Sequence, residues 1–156
     1  MSSLARMVVV TATVLSLVVV AGCGSDTKAS NDYVKAINKV QTDFVNNVQK
    51  AGSAPSTGSD PLVAAKKTFT NLEAAIGKVI SDLQGVTPPD KVKALHNRLI
   101  SEMDEFKGDV KTAGDSLSSK DPTKIATAQT KFASDASSLG TKIDKTISDI
   151  NDKLHS

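Results

Sequence analysis

The residues that could do chemistry in this chain are few, and their spacing decides what they can do. Two histidines are present, His96 and His155, with one cysteine, Cys23. His96 lies four after Val92 and three before Leu99, at the flank of an apolar stripe. A metal or base role would need a second histidine or a carboxylate one helical turn away, but positions 92 and 100 are Val and Ile. The residues predict a hydrogen-bonded histidine at the core boundary. His155, next to the C-terminus, is expected at a frayed chain end.

The second candidate is an acidic stretch, Glu102, Asp104, Glu105 and Asp109. Glu102 and Glu105 are one helical turn apart, as a carboxylate pair requires. Di-iron bundles, however, pair Glu-x-x-His on two helices with Glu on the others, and neither Glu73 nor Glu102 has His three residues on. Arg98 precedes Glu102 by four, a helical ion pair worth a few tenths of a kcal/mol. The stretch therefore reads as a solvated helix face, with no metal site. The Ser and Thr residues form no Gly-x-Ser-x-Gly elbow, and no glycine-rich phosphate loop is present. No catalytic residue and no cofactor is expected, and the chain reads as a non-enzyme.

Cys23 is different, because its surroundings have direction. Arg6 supplies a short positive region, Met7 to Ala21 is apolar apart from Thr11, Thr13 and Ser16, and Ala21 and Gly22 precede Cys23. That is the layout of a secretory signal, too short for a comfortable membrane span of ~20 apolar residues. The junction Val20-Ala21-Gly22-Cys23 resembles the lipobox of bacterial lipoproteins, and the polar Gly24-Ser25-Asp26-Thr27-Lys28 resembles the tether of small actinobacterial members.

The resemblance covers about the first 30 residues. It implies a signal peptide over 1–22 cleaved between Gly22 and Cys23, with the Cys23 thiol acylated. Residues 23–30 would then be a lipidated tether, 31–156 the folded domain, and the location the outer face of the cell membrane. Two acyl chains suffice, since each buried CH₂ contributes ~0.8 kcal/mol and a single chain binds only marginally.

Composition limits the rest. Of 156 residues 3% are aromatic, with no Trp, and a lone Cys allows neither a disulfide framework nor a cysteine-rich zinc site. Cleavage would leave 134 residues, one domain with a real core. It would also leave a side-chain balance of +1, evenly mixed. With no basic stripe or cluster, a nucleic-acid partner is not expected.

The elements that must position these residues are helices. Apolar residues recur at helical spacing in four stretches, about 31–50, 62–84, 90–118 and 122–154, and no period-two alternation competes. The second is clearest: Leu62, Ala65, Phe69, Leu72, Ile76, Val79 and Leu83 alternate steps of three and four. Asp60-Pro61 and Asp121-Pro122 each place a capping carboxylate before a proline at the first helical position. Pro88-Pro89-Asp90 opens the third helix similarly, and Gly85 is placed to cap the second. Residues 51–59, rich in Gly, Ser and Pro, read as a flexible loop, and Gly108 and Gly114 permit bending in the third helix.

Short connections predict an all-α, antiparallel up-down four-helix bundle. At about 1.5 Å per residue, Phe44, Phe69, Phe106 and Phe132 fall within about one turn in height, which predicts one shared aromatic layer. The longer third and fourth helices should project as a hairpin, leaving Ala113, Leu117, Ile125 and Ala128 short of partners. Leu117 and Ile125 are then the candidate partner contacts, although small residues there let the hairpin pack on itself, which is the favoured outcome.

Two functions compete on this reading. One is a membrane-anchored, non-catalytic interaction or structural module that meets an envelope protein or polymer. The alternative is a binding protein for a small apolar or amphipathic ligand held between the helices beside the four Phe.

Overall fold

A computed structural model describes residues 25–52, 60–119 and 121–156. The described residues are almost entirely helical and include no strand: α1 spans Ser25–Gly52, α2 Pro61–Gln84, α3 Lys93–Ser116 and α4 Pro122–His155. A single 3₁₀ turn, Asp90–Val92, leads into α3. The 51–59 loop and Lys120 lie almost wholly outside the described residues, as does the whole signal segment including Gly22 and Cys23.

The helix ends follow the expected chemistry closely. Asp60 accepts from the Leu62 amide at 2.8 Å, and Asp121 accepts from the Thr123 amide at 2.9 Å. In both helices proline follows the cap directly. Gly85 caps α2 through its N–H to the Ser81 and Asp82 carbonyls, with an ordinary right-handed φ of −78°. The Pro88-Pro89-Asp90 segment departs from expectation. Asp90 starts the 3₁₀ turn and α3 itself begins at Lys93, without a side-chain cap.

α1 begins six residues earlier than the sequence predicts. Residues 25–30, expected in a polar tether, are helical, and Ser30 is 2% exposed. The reason lies in the spacing: Ser30, Tyr33 or Val34, and Ile37 continue one stripe, and a small hydroxyl fits there. Lys28 and Asp32 pair on the outer face at 2.6 Å.

α1 packs closely on α2, α2 on α3, and α3 on α4. Contacts between α2 and α3 run in reverse order. Lys66 Nζ donates to Ser118 Oγ at 2.7 Å, Phe69 lies against Gly114, and the Leu83 carbonyl meets His96. Contacts toward α4 do the same: Glu105 meets Lys142, Glu102 meets Thr146, and Lys91 reaches the Leu154 carbonyl from the 3₁₀ turn.

Burial is uneven along the helices. Among the described residues, nothing in α1 after Val40, in α2 before Leu72 or in α4 before Leu139 is buried. Only α3 stays buried toward that end, through Val110, Ala113, Gly114 and Leu117.

The aromatic layer forms in part. Phe69 and Phe132 meet edge to face at 5.4 Å, and Phe106 stacks on Phe132 at 6.3 Å. Phe44 makes no ring contact with them and is only partly buried against the core. The group is centred on Phe132 of α4, and among the described residues α1 and α4 are not close neighbours. α1 contributes its aromatic ring lower down, as Tyr33.

The projecting hairpin is also corrected. The Lys66–Ser118 bond sets the end of α3 beside the second turn of α2, so α2 accompanies the hairpin to its tip. Leu117 is consequently 5% exposed and packs inward, while Ile125 is half-buried. Among the described residues the exposed large apolar side chains are Leu62 at 46% and Val63 at 61%, on the first turn of α2.

Close approach, rather than bending, accounts for Gly114. A Cβ there would sit 2.9 Å from Phe69 Cβ, on the stem of the side chain near the backbone, whereas a Cβ on Gly108 would meet nothing within 4 Å. Gly108→Ala should raise stability by up to ~1 kcal/mol through helix propensity. Gly114→Ala should lower it by about 1–3 kcal/mol, because α2 and α3 must part. Urea unfolding of both variants checks the opposite signs, and two stabilising changes would contradict this packing.

Candidate functional site

Two polar groups interrupt the apolar stripe of α3, and both are buried. The first is His96, 2% exposed. Its Nε2 lies 3.1 Å from the Leu83 carbonyl in the last turn of α2, and its Nδ1 lies 3.2 Å from Tyr33 Oη on α1. A carbonyl can only accept, so Nε2 carries the proton and Nδ1 accepts from the Tyr33 hydroxyl. Both nitrogens are thus partnered, in the neutral form of the ring that burial favours. Burial lowers its pKa, and the bond to Leu83 offsets this in part. Burial also pushes the Tyr33 phenol well above its usual range. The rings stand edge to face, centroids 5.6 Å apart.

This agrees with a hydrogen-bonded histidine but places it inside the core rather than at its boundary. Tyr33 and Leu83 are the partners that sequence spacing did not reveal. The available signal was Tyr33 itself, which heads the α1 stripe with a hydroxyl that burial obliges to find a partner.

The second group is Glu102, predicted on a solvated face. The Arg98 pair exists, with Nε to Oε1 at 2.9 Å, but Glu102 is only 6% exposed. The same oxygen accepts from Thr146 Oγ1 at 3.0 Å, and Thr146 is fully buried on α4. Oε2 is buried with no partner among the described residues. The correction has a positional cause. Glu102 follows Leu95 and Leu99 at seven and three residues and precedes Phe106 by four, so it occupies a core position. Thr146 does likewise between Ile143 and Ile150. A carboxylate and a hydroxyl at matching core positions of neighbouring helices were the readable signal.

The remaining acids stay outside. Glu105 is exposed and takes Lys142 at 3.2 Å, and Asp104 is exposed. Asp109 is half-buried against α4, where burial first and then Asp135 raise its pKa while Lys131 opposes. Among the described residues no three His, Cys, Asp or Glu side chains are grouped to hold a metal ion.

His96 and Glu102 lie six residues apart on α3, nearly two turns; both nitrogens of His96 and Oε1 of Glu102 are engaged, and Oε2 is buried away from solvent. They are suited to fixing α1, α2 and α4 around α3. The candidate contact Leu117 is buried, Ile125 is partly so, and Gly22 and Cys23 lie outside the described residues. Beside the position considered for an apolar ligand, Phe69 and Phe106 each contact Phe132. Comparison with protein-family models, curated proteins and solved structures finds no match for this chain.

Thr146→Val keeps the side chain's shape and removes the donor to a buried carboxylate. A loss of about 1.5–3 kcal/mol is expected, the range for hydrogen bonds to charged groups. Urea unfolding provides the check, and an unchanged midpoint would mean that the bond contributes nothing.

Proposed function

We propose that this chain is a lipid-anchored lipoprotein of the cell envelope, held at the outer face of the membrane through Cys23. In this reading it is a non-catalytic interaction or structural module, and its domain is an antiparallel up-down four-helix bundle. The observation that carries the reading is the order Arg6, apolar run, Ala21-Gly22-Cys23 at the N-terminus, with residues 1–22 as the signal peptide. The reverse-order contacts of α2 with α3 and α3 with α4 support the bundle topology. Among the described residues no helix is long and apolar enough to cross a membrane. On this reading acyl chains carry the attachment.

The start of α1 at Ser25 gives the anchor a structural consequence. Only Gly24 separates Cys23 from a 28-residue helix, which at 1.5 Å per residue reaches ~42 Å. The domain would stand close to the membrane at its well-packed end and hold its sparsely packed end outward. That outer end carries Leu62, Val63 and the half-buried Ile125. Contact with an envelope protein or polymer is assigned to them, and Leu117 serves as the packing beneath.

Cys23→Ser tests the anchor. The variant should leave the membrane fraction and lose the acyl mass, and a membrane-bound protein of unchanged mobility would defeat the proposal. Photocrosslinking from Val63 in the native envelope tests the contact. A discrete adduct absent from Lys145 controls is expected, and its absence would sink the interaction role.

A further inference from the structure

We propose that His96 is an acid-sensitive latch for α1: adding a proton to its ring undocks the first half of α1 from α2 and α3. The inference rests on where α1 is held. Among its residues of described burial, the buried ones lie between Ser30 and Val40, and one of them, Tyr33, bonds directly to His96. The same ring is fixed on its other side to the Leu83 carbonyl of α2. Three helices therefore meet at one imidazole.

Protonation disrupts this junction at a defined atom. Nε2 already carries its hydrogen toward Leu83, so the added proton goes to Nδ1. An N–H then confronts the Tyr33 O–H, donor against donor. To relieve this the phenol must turn its hydrogen away, and a hydroxyl 2% exposed then needs a new acceptor. The resulting imidazolium would also be buried, and among the described residues no carboxylate bonds to the ring. Tyr33 is the titratable group facing the ring from α1. α2 presents the Leu83 carbonyl, and among the described residues of α2, α3 and α4 no charged side chain bonds to the His96 ring.

The direction with pH follows. With α1 undocked the ring meets water and takes a proton near the ordinary value of about 6.5. Docked, its pKa is lowered by burial. The undocked state thus binds more protons below about pH 6.5, and docking weakens as pH falls through the interval between the two values. Above about pH 7 the docking equilibrium is flat. At pH 5 the undocking constant rises by up to about thirtyfold, the limit set by an ordinary histidine in the open state.

Hydrogen exchange of the full chain in detergent micelles tests this, with rates corrected for intrinsic pH dependence. Amides of residues 30–40 should exchange faster at pH 5.0 than at pH 7.5, by up to about thirtyfold. Amides around Ile147 in α4 should change far less. His96→Gln retains a donor and an acceptor without a titrating nitrogen, and should abolish the difference. Equal protection of α1 at both pH values overturns the latch. So does an equal acid loss in every helix, or an undiminished acid response in His96→Gln. A second readout on the unaltered chain covers failure of that variant to fold. The His96 ring resonance, assigned with His155→Gln, should titrate below the ordinary value, and titration at or above it overturns the proposal.

Discussion

The position of α1 depends on one buried imidazole whose two nitrogens have opposite roles. Nε2 of His96 donates to the end of α2, and Nδ1 accepts from Tyr33 of α1. An apolar residue in that place could fill the volume, but it would leave the Tyr33 hydroxyl without an acceptor in a site closed to water. The bonded ring also fixes register, because only one height of α1 brings Tyr33 to Nδ1. Leu and Val side chains slide past one another at small cost, whereas a hydrogen bond between buried groups tolerates little displacement. The polar pair thus specifies an arrangement that the stripe of Val34, Ile37 and Val40 would stabilise less selectively.

Glu102 and Thr146 act similarly nearly two turns further along α3, between α3 and α4. There the carboxylate stays near the surface through half-exposed Arg98, with Oε1 receiving both donors. With His96 facing α1 and α2 and Glu102 facing α4, α3 is the helix to which the others are indexed. Its burial bears this out: it alone stays buried along most of its length, and where it meets Phe69 it carries glycine.

The helices and their ends were legible in the sequence because they depend on local chemistry. Asp60, Asp121, Pro61 and Pro122 act within three residues of themselves, and the stripe of α2 is regular enough to place its buried residues. Features spanning two helices were less legible. Phe69, Phe106 and Phe132 meet as counting heights suggested, but Phe44 does not, because height alone does not say which helices are neighbours. The tether reading of 25–30 failed for a related reason. Ser30 looked like linker composition, although its spacing from Val34 and Ile37 already put a small polar residue on the buried face. Glu102 lies on the buried face for the same reason, three residues after Leu99 and four before Phe106. The cross-helix roles of His96 and Glu102 were unreadable because their partners Tyr33, Leu83 and Thr146 are distant in sequence.

The uneven packing links these observations. The junctions at His96 and Glu102 lie in the half of the domain where all four helices bury residues. Among the described residues, α1 after Val40, α2 before Leu72 and α4 before Leu139 contribute no buried side chain. Protection against local opening should follow this gradient, since it tracks buried contacts rather than helix length. α1 is the extreme case: a 28-residue helix held by residues from a span of eleven. Its second half, with Phe44 and Val48 only partly covered, adds little resistance to lifting away. The Tyr33–His96 bond lies inside that eleven-residue span, so a change at one ring nitrogen acts where the helix has most to lose.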